Sequence, residues 1–207
     1  MQRPKEHIRS DIVAAASRLF AERGFAATSI ALVAEHAGTS TGNVYRYFEG
    51  KESLFAAVLP RELAVELERR TRARVEALGT TRDVREVASG ARYQVLSDEL
   101  LDFCIEHREQ VVILLARAKD TPFASFEASF RRKLVDWAIA YLRDAWPTVR
   151  VTPLLRFTLD RVYAAFVKPD TIREAVLQLT AHHQGGLLRL FETVATPEHT
   201  SGDAPRS

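Results

Sequence analysis

This chain has a single cysteine, no long apolar run and almost no net charge, and each of these scarcities excludes something. A lone thiol, Cys104, cannot form an internal disulfide, which fits a reducing compartment. Cys104 and His107 stand at i, i+3 on one helix, but two ligands are too few for a zinc site. No stretch of roughly 18 apolar residues occurs, so no transmembrane helix and no membrane partner are expected. The polar start Met1-Gln-Arg-Pro-Lys-Glu-His lacks the apolar segment of a secretory signal, and a cytoplasmic protein is the expectation. Walker, G-x-G-x-x-G, H-E-x-x-H and C-x-x-C patterns are missing, and the one G-x-S-x-G match, at Gly38–Gly42, lies between two helical segments and not after a strand. Hence no catalytic residue, cofactor or metal is expected.

The small net charge of +2 limits any electrostatic grip on nucleic acid. Over residues 1–60, seven Lys/Arg oppose six Asp/Glu. Placement favours DNA more than number does, because Arg3 and Lys5 lie in an N-terminal arm while Arg46 and Lys51 flank a short helix. The salt dependence of any DNA binding should therefore be moderate.

What the sequence does contain is helical periodicity throughout, with no convincing period-2 strand. A first helix is expected from about His7 to Arg23, with Ile8, Ile12, Ala15, Ala16, Leu19 and Phe20 on one face and Gly24 ending it. A second follows, capped by Thr28, with Ile30, Val33, Ala34 and Ala37 inward and Gly38 as its left-handed terminator. Ser40 caps a third, about Ser40–Phe48, in which Val44 and Phe48 are core. Two short helices joined by a tight turn form a helix-turn-helix, whose second helix enters the DNA major groove. A fourth helix opens near Lys51 and runs toward Leu78, with Pro60 expected to kink or split it. Further helices are expected at about 82–89, 91–106, 108–118, 122–145, 152–167 and 170–193. The expected architecture is all-α: a helix-turn-helix DNA-binding head at 1–55, a helical effector-binding and dimerisation body at 56–195 and a disordered tail at 196–207.

The DNA-contact candidates are Thr28, Ser29, Ser40, Thr41, Gly42, Asn43, Tyr45, Arg46, Tyr47 and Lys51. Hydroxyls, an amide and an ammonium suit phosphate oxygens, and Asn43 can also read a base edge. Arg46 suits guanine, although its spacing could turn it toward solvent instead. The blander reading makes Thr28 and Ser40 caps only, and packs one tyrosine on the first helix.

The ordered set Leu19-Phe20, Gly24-Phe25, Thr28, Val33-Ala34-x-x-Ala37-Gly38, Ser40, Val44-Tyr45-Arg46-Tyr47-Phe48 and Lys51-Glu52-x-Leu54 resembles the TetR family of bacterial transcriptional regulators. The likeness covers about residues 8–58; beyond residue 80 it is architectural. Gly42 is a costly residue inside a recognition helix, at about 1 kcal/mol relative to alanine, but it permits close approach to the DNA backbone. The resemblance implies a homodimer on a palindromic double-stranded operator, and repression relieved by a small molecule entering the body.

An apolar or aromatic effector would suit a pocket drawn from Phe103, His107, Trp137, Tyr141, Phe157 and Tyr163. Arg117 or Asp160 are further polar anchors, though aromatics at this spacing also serve as plain core. A dimer interface would use Leu159, Val162, Phe166, Leu179, His183, Gly186 and Leu187, since the Gly185-Gly186 pair suits a close-packed helix of a second protomer. Within the same fold, activation is the alternative to repression. An all-helical enzyme using the aromatic body, or a protein-binding head, are the rival classes.

Overall fold

The computed structural model describes residues 5–78 and 91–145, together with Pro153 and Arg156. Every regular element among them is helical. The first, α1, spans Lys5–Arg23 without an internal proline or glycine. Its inner stripe of Ile12, Ala15, Ala16, Leu19 and Phe20 is buried as its periodicity requires. Gly24 ends it at a φ of 81°, where a β-carbon is disfavoured.

Two short helices follow, α2 at Ile30–His36 and α3 at Thr41–Tyr47. Neither has the length to persist alone in water, so packing on α1 must hold both. Val33 and Ala34 of α2, and Val44 and Phe48 at α3, close the head core. Between them the Gly38 N–H donates to Glu35 O at 3.1 Å, and the Thr39 N–H to Ala34 O at 2.9 Å. With Gly38 at a φ of 62°, this is a Schellman turn that fixes the exit angle of the chain.

The next helix splits at its proline, as expected. One rod, α4, spans Lys51–Val58, and a second, α5, spans Arg61–Ala77. Pro60 sits between them in extended backbone, with a φ of −66° and a ψ of 149°. The expected head boundary at residue 55 therefore falls inside α4, while the physical break lies at Leu59-Pro60.

The body continues with α6 at Ala91–Glu106, matching the expected 91–106. Then comes α7, Arg108–Val112, whose last turns widen into a π-helical stretch over Ile113–Arg117. Ile113 and Leu114 in that stretch are fully buried. The last described helix, α8, spans Phe126–Ala145 and starts four residues later than expected. Thr121 takes those residues into a turn, donating to Ala118 O at 2.6 Å while accepting from the Phe123 N–H at 3.1 Å. The expected helices at 82–89, 152–167 and 170–193, and the tail, lie outside the described residues.

Ion pairs stitch α5 to its neighbours: Lys133 of α8 reaches Glu68 at 2.6 Å, and Arg70 lies 4.0 Å from Glu99 of α6. Within α5, Glu66 accepts from both Arg69 and Arg70. The Arg69 hydrogen bond, opposed by burial and supported by the Arg70 hydrogen bond and both charges, lowers the Glu66 carboxyl from 4.5 to about 2. A depressed folded pKa contributes stability that is complete above pH 4.5 and disappears as pH falls toward 2. The partners are largely solvated, so the contribution is small. Wild type should lose melting temperature over that window slightly more steeply than Glu66→Gln in thermal melts against pH, and parallel curves would refute the pairing.

Candidate nucleic-acid interface

The outward face of α3 follows from its inner one. Val44 and Phe48, one turn apart, point into the core, so Thr41 and Tyr45, and Gly42 and Arg46, are left facing solvent as i, i+4 pairs. Tyr45 is 58% exposed, the reverse of what a buried aromatic would show. Tyr47 is half-buried and packs against the head core, so of the two tyrosines only Tyr45 is presented freely. Ser40 caps α3 as expected, its Oγ accepting from the Asn43 N–H at 3.2 Å. The Asn43 side chain braces the turn by donating to Thr39 Oγ1 at 3.0 Å.

Gly42 is exposed, and a β-carbon added there would meet only Ser40 Oγ at 3.8 Å. Nothing inside the protein needs that space. The room it leaves is on the outer surface, where a phosphate backbone would pass.

Thr28 is a correction on two counts. Ser29, not Thr28, caps α2, its Oγ accepting from the Leu32 N–H at 3.1 Å. Thr28 is 1% exposed, and its hydroxyl donates inward to Gly24 O at 2.9 Å and Leu19 O at 3.3 Å. It ties the chain after α1 back onto the last turns of that helix and, so buried, offers DNA no hydroxyl. Thr28→Val should therefore cost about 1–3 kcal/mol in urea denaturation, the range for depriving buried carbonyls of a donor. Operator affinity of the folded fraction should not change, and a selective loss of affinity would restore Thr28 to the interface. Ser29 stays exposed beside it.

Lys51 is more occupied than its sequence position suggested. Its Nζ donates to Phe25 O at 2.9 Å and lies 4.3 Å from the centre of the Phe25 ring. One of its three donors is thus spent on holding the end of α1 against the start of α4. At that start, Ser53 Oγ accepts from the Gly50 N–H at 3.2 Å and donates to Gly50 O at 3.0 Å.

The head is joined to the body through aromatic rings. Phe55 of α4 meets Phe20 at 5.3 Å, Phe25 at 5.2 Å and Phe123, ahead of α8, at 6.4 Å between ring centres. Beside them, Arg117 donates through Nε to Ala21 O at 3.4 Å. Arg117, a candidate effector anchor on sequence, here faces the end of α1. The seam has no signature in local periodicity, because its partners lie far apart in the chain.

In the body, Phe103 and Tyr141 are buried in the common core, Trp137 packs against it, and half-buried His107 stacks edge-on to Phe103 at 4.7 Å. Phe157, Tyr163 and Asp160, like the interface candidates Leu159, Val162, Phe166, Leu179, His183, Gly186 and Leu187, lie outside the described residues. Arg74, which sequence reasoning did not single out, is buried with its guanidinium bonded to Tyr93 Oη and Ser97 Oγ. Cys104 is 3% exposed, and burial pushes its thiol up to about 12, so it is inert at neutral pH. No group of three or more metal-ligating side chains occurs among the described residues, and no described helix is long and apolar enough to cross a membrane.

Comparison with known proteins supports this reading of the head. Residues 12–58 match the family model described as bacterial regulatory proteins, tetR family. The transcriptional repressor KstR2 of Rhodococcus jostii is 32% identical over 168 residues, covering 69% of this chain and 78% of that protein. The transcriptional activator FasR of Mycolicibacterium smegmatis is 32% identical over 107 residues, which are 52% of this chain and 44% of FasR. Among solved structures, the ketosteroid regulator KstR2 of Mycobacterium tuberculosis shares the fold at a TM-score of 0.55 and 22% identity, over 90% of this chain and 96% of its own. A TetR-family regulator from Bordetella parapertussis does so at 0.54 and 20%, over 83% and 93%. A Schellman turn aiming an exposed Tyr45 face outward, a matching family model and a relative similar along most of its length lead to one conclusion: this chain belongs to the TetR family and is a DNA-binding transcriptional regulator.

Proposed function

We propose that the chain acts in the cytoplasm as a homodimeric repressor, released from a palindromic operator by a small-molecule effector held in its helical body. The observation that carries the reading is the pairing of a rigidly aimed α3 face with an aromatic seam, Phe20, Phe25, Phe55 and Phe123, that couples this face to the body. Thr41, Gly42, Tyr45 and Arg46 sit in the major groove, while Ser29, Ser40, Asn43, Tyr47 and Lys51 border the phosphates. The effector occupies the aromatic body around Phe103, His107, Trp137 and Tyr141, with Phe157 and Tyr163, outside the described residues, as further candidates. Its natural class is apolar or aromatic, matching those side chains. The dimer forms through the last two expected helices.

Release follows if the effector binds best to the head spacing that does not fit the operator, which is a population shift. The test is selection of genomic fragments by the purified chain, followed by footprinting. Two half-sites about 34 Å apart, or a multiple of that, are expected from a symmetric dimer. Binding without sequence preference at low salt would reject the reading. Similarity to FasR, named as an activator, motivates the second reading. Deleting the regulator separates the two, because expression from the bound promoter rises for a repressor and falls for an activator.

A further inference from the structure

One cleft has no role in binding DNA at α3. It lies where α1 of the head meets α7 of the body, about 640 Å³ in volume, and its lining includes Arg9, Ser17, Arg18, Arg108 and Gln110. That is a volume ordinary for a small-molecule site. Three guanidiniums line it against one carboxylate, Glu109, which accepts from Arg108 Nε at 3.0 Å. Arg9 is steadied over the Phe48 ring at 5.4 Å, a contact that brings no opposite charge. Arg18 is exposed and has no ion-pair partner among the described residues. Positive charge is in clear excess.

The polar atoms deeper in the wall are also unsatisfied. Ser17 is 7% exposed, and its Oγ has no hydrogen-bond partner; the buried Gln110 Oε1 has none either. Leaving such atoms unbonded is costly, and native proteins rarely keep two of them behind one cleft wall without a use. Val13, Ala14 and Ala57 complete the lining with apolar surface.

We propose that this cleft binds a small organic phosphate. Its phosphate is held by the forked donors of Arg18 and Arg108, its polar substituents bond Ser17 and Gln110 once those side chains turn toward the cleft, and its carbon skeleton lies on Val13, Ala14 and Ala57. Guanidinium forks suit the several oxygens of phosphate better than a single point charge would. Operator phosphates are the weaker candidates for the same groups, because Arg108 and Gln110 belong to the body and Arg18 stands about 13 Å along α1 from Arg9. A ligand here would bridge head and body, so its occupancy would bias the head orientation independently of the aromatic interior.

Pyrophosphate, titrated calorimetrically into the full chain at fixed ionic strength, is a suitable probe. A single site per chain is expected, with affinity weakened about tenfold or more in the Arg18→Gln/Arg108→Gln variant. Operator binding without pyrophosphate should be the same for both proteins. Both substituted side chains are exposed, and matching melting curves would establish that the variant is folded; if they differ, Arg18→Gln alone gives the same comparison. Absence of binding to the wild type, equal affinity in wild type and variant, or loss of operator binding in the variant without pyrophosphate would each overturn the proposal. The last result would assign these arginines to DNA.

Discussion

Phe55→Ala is expected to lower the unfolding free energy by about 3–5 kcal/mol, the usual range for emptying a buried phenylalanine site. Phe55 is 3% exposed and touches rings from α1, the loop after α1 and the segment before α8. Collapse around the truncated side chain would have to move three elements at once, which places the cost high in the range. Domains are typically stable by only about 5–15 kcal/mol, so a large fraction of the margin would go. For a chain of this size the melting temperature should fall by roughly 6–20 °C. Phe55→Leu should keep more of it, since it removes three side-chain carbons where alanine removes six. Chemical denaturation of the two variants decides the matter. A loss below about 1 kcal/mol for Phe55→Ala would show that the ring cluster does not hold the seam.

The second large effect is on DNA and not on stability. Tyr45 is 58% exposed, so truncation to alanine removes little packing. Its phenol stands beside Thr41 on the outward face of α3, where an aromatic contact to the duplex is worth about 1.4 kcal/mol or more. That is about tenfold per half-site, and roughly a hundredfold for a symmetric dimer whose two heads act independently. Gel-shift titration on the selected operator, with a melting curve as control, measures both quantities. Unchanged affinity in Tyr45→Ala would mean that α3 docks with another face.

The head was readable from sequence because its determinants are local. Gly38 marks a φ only glycine adopts comfortably, Ser40 supplies an oxygen three residues from an orphan N–H, and the Val44–Phe48 spacing sets the inner face. The error at Thr28 shows where local reasoning stops. Two hydroxyl residues stand side by side, and either could cap α2. Only the fold of the Gly24–Phe25 turn, which carries Thr28 back beneath Leu19 O, assigns the cap to Ser29. Lys51 is similar, because its acceptor, Phe25 O, lies 26 residues away. In the body, Phe103 and Tyr141 have the same helical spacing whether they fill a core or line a pocket. Arg18 and Arg108 line one cleft only once α1 and α7 are packed.

The two-residue interruption at Leu59-Pro60 has a consequence for modularity. It is the natural place to cut if heads are to be exchanged between related regulators, and the family match also stops at residue 58. Yet Leu59 itself is buried, Phe55 is seated against Phe123, and the end of α1 is bonded to Arg117 of the π-helical turn of the body. A head transplanted at that point would arrive with its covalent joint intact and its socket mismatched. Functional chimeras should therefore need the Ile113–Phe123 segment to travel with the head, so that the transferable unit is discontinuous along the chain.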